Sequence, residues 1–418
     1  MAFLNPHNKR NWLLVALLHL LVVASLGLVL RYMMVGTVPG VNYKYLLHAH
    51  SHVALLGWLY SAVTVALQVV FLPPEVHSKR TYSWQFWLSQ VAVLGMLFSF
   101  PVQGYAAVSI TFSTAHILLS YWFIYQFLKD AKVEGIAKGQ HQVSFLFVQA
   151  SLFFLTISSL GPWSLGPIMA TGHSGSSLYY NAIYFYLHFQ YNGWFTFAVL
   201  GLVFWLLEYR QIPFSLGKGR AIFWMLFWAC LPEYLLSILW TKPAGWVYVL
   251  SGIAAVGQLV ALTQLIMLLW PQRKTLLLLF APWSRFLITG ALAALALKTC
   301  MQVATAFPYF ADLAYQIRNF IIGYLHLVLI GFISFFLFAF FEVGGWLMIK
   351  TKLSKWGIGL FVLSFLTTEG LLFLQGIFSW VQFGSLPQYH LLLFIASIFL
   401  LVGMLLFFLS QLRKTPLD

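Results

Sequence analysis

What most constrains this chain is a series of continuous apolar runs, each long enough to cross a bilayer. Twelve can be drawn: 12–33, 46–71, 84–104, 107–128, 143–160, 178–207, 221–240, 245–270, 285–306, 318–341, 356–378 and 389–410. A hydrocarbon core takes about 20 residues of helix. Lipid offers no water to backbone polar groups, so runs of this length fold as helices that satisfy themselves. They are continuous rather than alternating, which argues against a transmembrane β-barrel. Only 8% of the 418 residues are charged, against about a quarter in soluble domains. A soluble or disordered chain is therefore excluded. The expectation is an all-α integral membrane protein, one polytopic domain over 1–418 with twelve transmembrane helices. Pro101 and Gly104 mark the tightest turn, between spans three and four. No internal repeat is apparent.

The basic residues orient the spans. With the N-terminus inside, 18 of the 23 lysines and arginines fall in inner stretches, from Lys9 and Arg10 to Arg413 and Lys414. Five fall on the outer side: Arg31, Lys44, Lys242, Lys298 and Arg318. This bias places both termini in the cytoplasm. It also explains the net charge of +14 by loops beside a membrane, with no need for nucleic acid. Cys230 and Cys300 both lie in apolar runs and form neither a disulfide framework nor a CxxC or CxxCH motif. The run Trp12–Leu30 is too long for a signal peptide and reads as the first span.

Ionisable residues inside lipid are costly, so each needs a reason. Eight of the twelve histidines lie in or at the ends of spans: His19, His48, His50, His52, His116, His188, His326 and His390. Seven are on even-numbered spans, within roughly 15 Å of the outer surface. Any one of them reads as an imidazole bonded to a neighbouring helix. As a set they point to a metal or haem site, since neutral imidazole suits both. On the second span His48 and His52 share a face and His50 points about 200° away. Gly57 leaves room there for a planar cofactor or a close helix. Glu233 and Glu369 fall near mid-span, as proton donors or metal ligands or as neutral acids that fix packing. Glu208 and Glu342, at cytoplasmic helix ends, read as solvated. The Gly- and Pro-rich stretch 161–175, with His173, reads as a loop that caps an outer site or simply turns the chain.

Twelve spans, a histidine early in span two, His188 in Tyr186-Leu187-His188-Phe189-Gln190-Tyr191, and His326 in Gly323-Tyr324-Leu325-His326-Leu327 resemble subunit I of the haem–copper oxidase superfamily. That superfamily includes terminal oxidases and nitric oxide reductases. The resemblance implies a haem b between spans two and ten, with His52 and His326 as axial ligands. His48 and His50 remain alternatives on span two. It also implies a copper ligand at His188. The chain departs from the pattern at three places. Tyr324 stands where the first histidine of the span-ten pair is expected. Span seven has no histidine and carries Glu233. Asn192 replaces the tyrosine four residues after the span-six histidine. The copper site is thus lost or rebuilt, with His50 and His116 as candidate ligands joined by His48 or His390. A second haem or copper near His188, with Glu233 and Tyr324 as catalytic groups, would handle nitric oxide or oxygen. The NnrS family is similar in kind. The resemblance further implies a bacterial inner membrane location and a cytochrome or quinol as electron donor. Two other readings compete: a non-catalytic haem- or copper-binding sensor or assembly factor, and a transporter with a histidine proton relay. Histidines confined to one leaflet, with no visibly broken helix, speak against the transporter.

Overall fold

The structure is a computed structural model that describes residues 9–136, 139 and 141–412; Lys138, Arg413 and Lys414 of the charge tally lie outside them. The described residues form helices and no strand. Twelve helices are long and apolar enough to cross a membrane: Arg10–Tyr32, Tyr43–Phe71, Arg80–Gln103, Ala107–Val133, Gln142–Ala170, Ser177–Tyr209, Leu216–Thr241, Gly245–Leu278, Pro282–Thr305, Arg318–Val343, Lys352–Trp380 and Tyr389–Leu412. They are numbered here as spans one to twelve. Hydropathy locates each of them because length and apolarity are what lipid selects for.

One expected loop is helix. Leu160–Ala170 continues the fifth span, and only a short turn precedes the next helix at Ser177. Gly161 allows this because a Cβ there would lie 2.5 Å from the carbonyl oxygen of Ala182. Gly161 therefore serves close helix packing, and 160–170 is helix rather than loop.

The chain is organised as two compact units. The first comprises Met1–Asp130, Ala281–Ser284 and Leu337–Asp418; the second comprises Ala131–Phe280 and Arg285–Phe336. In the first unit, span one packs on spans two and twelve, and span eleven on span twelve. The last pair touches backbone to backbone. A Cβ on Gly403 would lie 2.5 Å from the Phe361 nitrogen and 2.9 Å from the Gly357 oxygen. At one end of this unit the Arg10 guanidinium donates to the carbonyls of Trp346, at 3.2 Å, and Gln411, at 2.6 Å. Next to it Lys9 donates to Gln68 and lies 4.0 Å over the Trp12 ring and 5.1 Å from that of Tyr82. Asp130 accepts from Lys79, Tyr82 and Gln126, each at 2.8 Å. His77 is buried in the turn after span two. Burial, and then the Lys9 charge, push it down to about 4.

The core of the second unit is aromatic. Phe147 stacks on Phe204 at 5.1 Å and meets Phe223 edge-on, while Phe154 contacts Phe197 at 5.0 Å. Glu208 is not solvated as its position suggested. It is buried, and its carboxylate accepts from the backbone nitrogens of Val143 and Ser144 and from the Ser144 hydroxyl. An acid is stabilised there by the unpaired N–H groups of a helix N-terminus. In the first unit, Glu342 is half-buried and accepts from Ser284 at 3.1 Å.

Gly403→Leu is expected to force spans eleven and twelve apart and to cost about 1–3 kcal/mol, read as a lower melting temperature in detergent. His77 supplies a pH test. Its folded-state value is depressed, so the unfolded chain takes up a proton first. Stability is complete above about pH 6.5 and declines as the pH falls toward 4. The loss is at most about 3 kcal/mol, reduced by solvent at the span end. Melting curves of His77→Gln should lack this acid component.

Candidate functional site

In the first unit, the two faces of the second span separate its histidines as the helical period requires. His50 turns toward span one, donates from Nδ1 to the Val23 carbonyl at 3.1 Å, and packs over Gly27. His48 and His52 share the opposite face, beside Phe100 and Tyr105, with ring centroids 4.4–5.9 Å apart. His52 Nδ1 donates to the His48 carbonyl at 2.8 Å, which leaves Nε2 to accept from the Tyr105 hydroxyl at 3.2 Å. This is the neutral tautomer with Nε2 as the basic nitrogen. His116 is buried edge-on to Tyr60 at 4.7 Å, and its Nε2 has no hydrogen-bond partner among the described residues. Gly57 serves helix packing: a Cβ there would meet the His19 ring at 2.9 Å. His19 in turn donates to Gln90 at 2.8 Å. His390 is exposed, and His173 bonds Thr171 at the surface. Glu369 is buried near the Arg31 charge.

In the second unit, His188, Glu233 and Tyr324 line one cavity of about 200 Å³. His188 holds Asn192 and the chain of span seven together. Asn192 Nδ2 donates to its Nδ1 at 3.0 Å, and its Nε2 donates to the Cys230 carbonyl at 2.9 Å. Nε2 therefore carries the proton, and the lone pair on Nδ1 is engaged by the Asn192 amide. Among the described residues, no three His, Cys, Asp or Glu side chains converge as a metal set, so His50 and His116 do not complete one. Glu233 follows Pro232, where the α-helix of span seven tightens into the 3-10 segment Tyr234–Thr241. Its Oε2 accepts from Gln258 Nε2 at 2.6 Å, and Gln258 Oε1 accepts from Lys298 Nζ at 3.1 Å. Glu233 and Lys298 are both fully buried. The amide thus joins an acid to a base, each end oriented for an ionised partner. Tyr191 and Tyr324 meet edge-on, ring centroids 5.9 Å apart.

Sequence reasoning missed Lys298 and Gln258. Lys298 was counted with the outer loops, yet it sits inside the ninth apolar run, where a lysine is itself a signal. A second missed signal is an internal repeat. His52, His188 and His326 each precede a π-helical stretch: Val53–Tyr60, Phe189–Phe195 and Leu327–Ser334. Each follows the pattern His-x4-Gly-aromatic, with Gly57-Trp58, Gly193-Trp194 and Gly331-Phe332. A hydroxyl caps a carbonyl five residues back in every case: Ser61 to Leu56, Thr196 to Tyr191 and Ser334 to Leu329. Such wide turns gather at functional sites, and here they recur every fourth span.

No known family and no curated protein matches this chain. The likeness to haem–copper oxidases accordingly rests on span number and on the histidines of spans two, six and ten.

The charge bridge is directly testable. Lys298→Met strips Gln258 of its donor and Glu233 of its counter-charge, and is expected to destabilise by about 3–5 kcal/mol. Adding Glu233→Gln should restore most of that loss in melting curves. A single variant as stable as the parent would show that the bridge is not a structural pair.

Proposed function

We propose that the chain is a haem-b-binding integral membrane protein of the haem–copper oxidase subunit I type that works in redox handling of a small gaseous ligand. The observation that carries this reading is the ring of His52. Its Nδ1–H is anchored on a backbone carbonyl, which fixes the tautomer and makes Nε2 the better ligand. Among the described residues the Tyr105 hydroxyl is what occupies that nitrogen, and a phenol is readily displaced by a stronger Lewis acid. In the same unit, buried His116 carries an Nε2 with no partner among the described residues. These residues fit an imidazole-ligated haem. When bound, such a haem supplies a one-electron centre whose potential depends on the axial ligands and their hydrogen bonds. In the second unit, His326 is a half-buried residue at the start of the third π-helical stretch.

Within this reading the protein's own groups have defined tasks. The His48 carbonyl orients His52, Phe100 packs against its ring, and Tyr105 holds Nε2 until a ligand replaces it. One observation favours a haem protein without copper catalysis, a sensor or scaffold: among the described residues no three His, Cys, Asp or Glu side chains converge as a metal set.

Optical spectra of the detergent-purified protein, oxidised and dithionite-reduced, test the proposal. One b-type haem per chain is expected after haem-sufficient expression. His52→Ala should lower haem content about tenfold or more, as loss of a ligand does at least as strongly as loss of its outer-shell partner. Tyr105→Phe should retain it. His326→Ala and His116→Ala, measured alike, decide the opposite axial position. A colourless parent protein overturns the reading. A carbon monoxide shift with stoichiometric copper would restore the copper enzyme, and haem without either would leave the sensor or scaffold.

A further inference from the structure

The cavity of the second unit has a chemistry that the haem reading does not use. Glu233 and Gln302 line it, and each carries a buried acceptor, Oε1, with no donor among the described residues. Glu233 is fully buried and Gln302 is 6% exposed. The other oxygen of Glu233 is held by Gln258, and the Gln302 amide nitrogen leans on Asn192 at 3.4 Å. Each side chain is therefore fixed by one end while the other end remains unpaired. Buried polar atoms are nearly always satisfied, so two unpaired acceptors on one cavity point to a ligand that brings donors.

The walls narrow the class. Tyr184, Tyr191, Trp240, Tyr315, Phe320 and Tyr324 all face the space. Trp240 stacks on Tyr315 at 5.0 Å and meets Tyr184 edge-on at 6.2 Å. Aromatic faces carry negative quadrupoles that attract cations. An anion would meet the Glu233 carboxylate. An apolar molecule would leave both acceptors unpaired. A quaternary ammonium has the charge but no N–H group.

We propose that this cavity binds a small protonated primary amine, whose ammonium donates to Glu233 Oε1 and Gln302 Oε1 and whose alkyl part lies among the aromatic rings. Lys298 belongs to the site by fixing Glu233 through Gln258, which leaves the other carboxylate oxygen for the ligand. None of the proposed haem ligands takes part, so amine binding and haem binding stand or fall separately.

Equilibrium dialysis of labelled ethylammonium against the full-length protein in detergent tests this. Saturable binding of one ethylammonium per chain is expected. It should weaken about tenfold or more in Glu233→Gln, the scale of a lost hydrogen bond to a charged group, and several-fold in Trp240→Leu. Tetramethylammonium and ethanol, which lack the N–H groups and the charge respectively, should compete at least about tenfold more weakly. Should Glu233→Gln fail to give a monodisperse protein, Gln302→Leu and Trp240→Leu carry the same comparison. Absence of saturable binding, equal binding by parent and variants, or equal competition by ethanol overturns the proposal and leaves the two acceptors to water.

Discussion

Everything in this protein follows from the absence of water around most of its length. A backbone group in lipid must find its partner within its own helix, and a side-chain polar group must find one within the fold. The hydroxyls show the rule at its simplest. Ser89, Thr64, Ser99 and Thr299 bond carbonyls four residues back on their own helices. The histidines obey it by donating to carbonyls, His50 to Val23, His52 to His48 and His188 to Cys230. The charged residues obey it through shared partners, as Glu233 and Lys298 do across one glutamine amide.

Where the rule is left incomplete, chemistry becomes available. The first unit leaves Nε2 of His116 unpaired and guards Nε2 of His52 with a single phenol. The second leaves one oxygen of Glu233 and one of Gln302 unpaired beside a cavity walled with aromatic rings. The two places differ in kind. One presents basic nitrogens, which suit a borderline Lewis acid such as iron. The other presents oxygen acceptors, which suit a donor-bearing cation. His188 ties span six to span seven through the Cys230 carbonyl.

Much of the architecture was legible in advance because lipid imposes a length and a composition that any window of sequence displays. The separation of His50 from His48 and His52 was legible for the same reason, since it needs only the helical period. The stretch 161–175 misled because glycine and proline signal both turns and close helix contacts, and only the nearness of Ala182 to Gly161 distinguishes them. Glu208 misled because a position at a helix end suggests solvent, whereas the start of span five lies against it. Lys298 was open to the eye as a charge within an apolar run, and its pairing was not, because Glu233, Gln258 and Lys298 are up to 65 residues apart in the chain and meet only through helix packing.

The sequence alone determined the twelve spans, their apolar character, and the face on which each histidine of span two lies, since these depend on local spacing and on the solvent. Only the tertiary structure decided which nitrogen and oxygen atoms keep a lone pair. It spent both nitrogens of His188 on Asn192 and Cys230, packed Gly57 against His19, and left Glu233 half-satisfied beside the cavity. Whether a buried polar atom is free depends on neighbours brought in from distant spans, and no local pattern of residues carries that information.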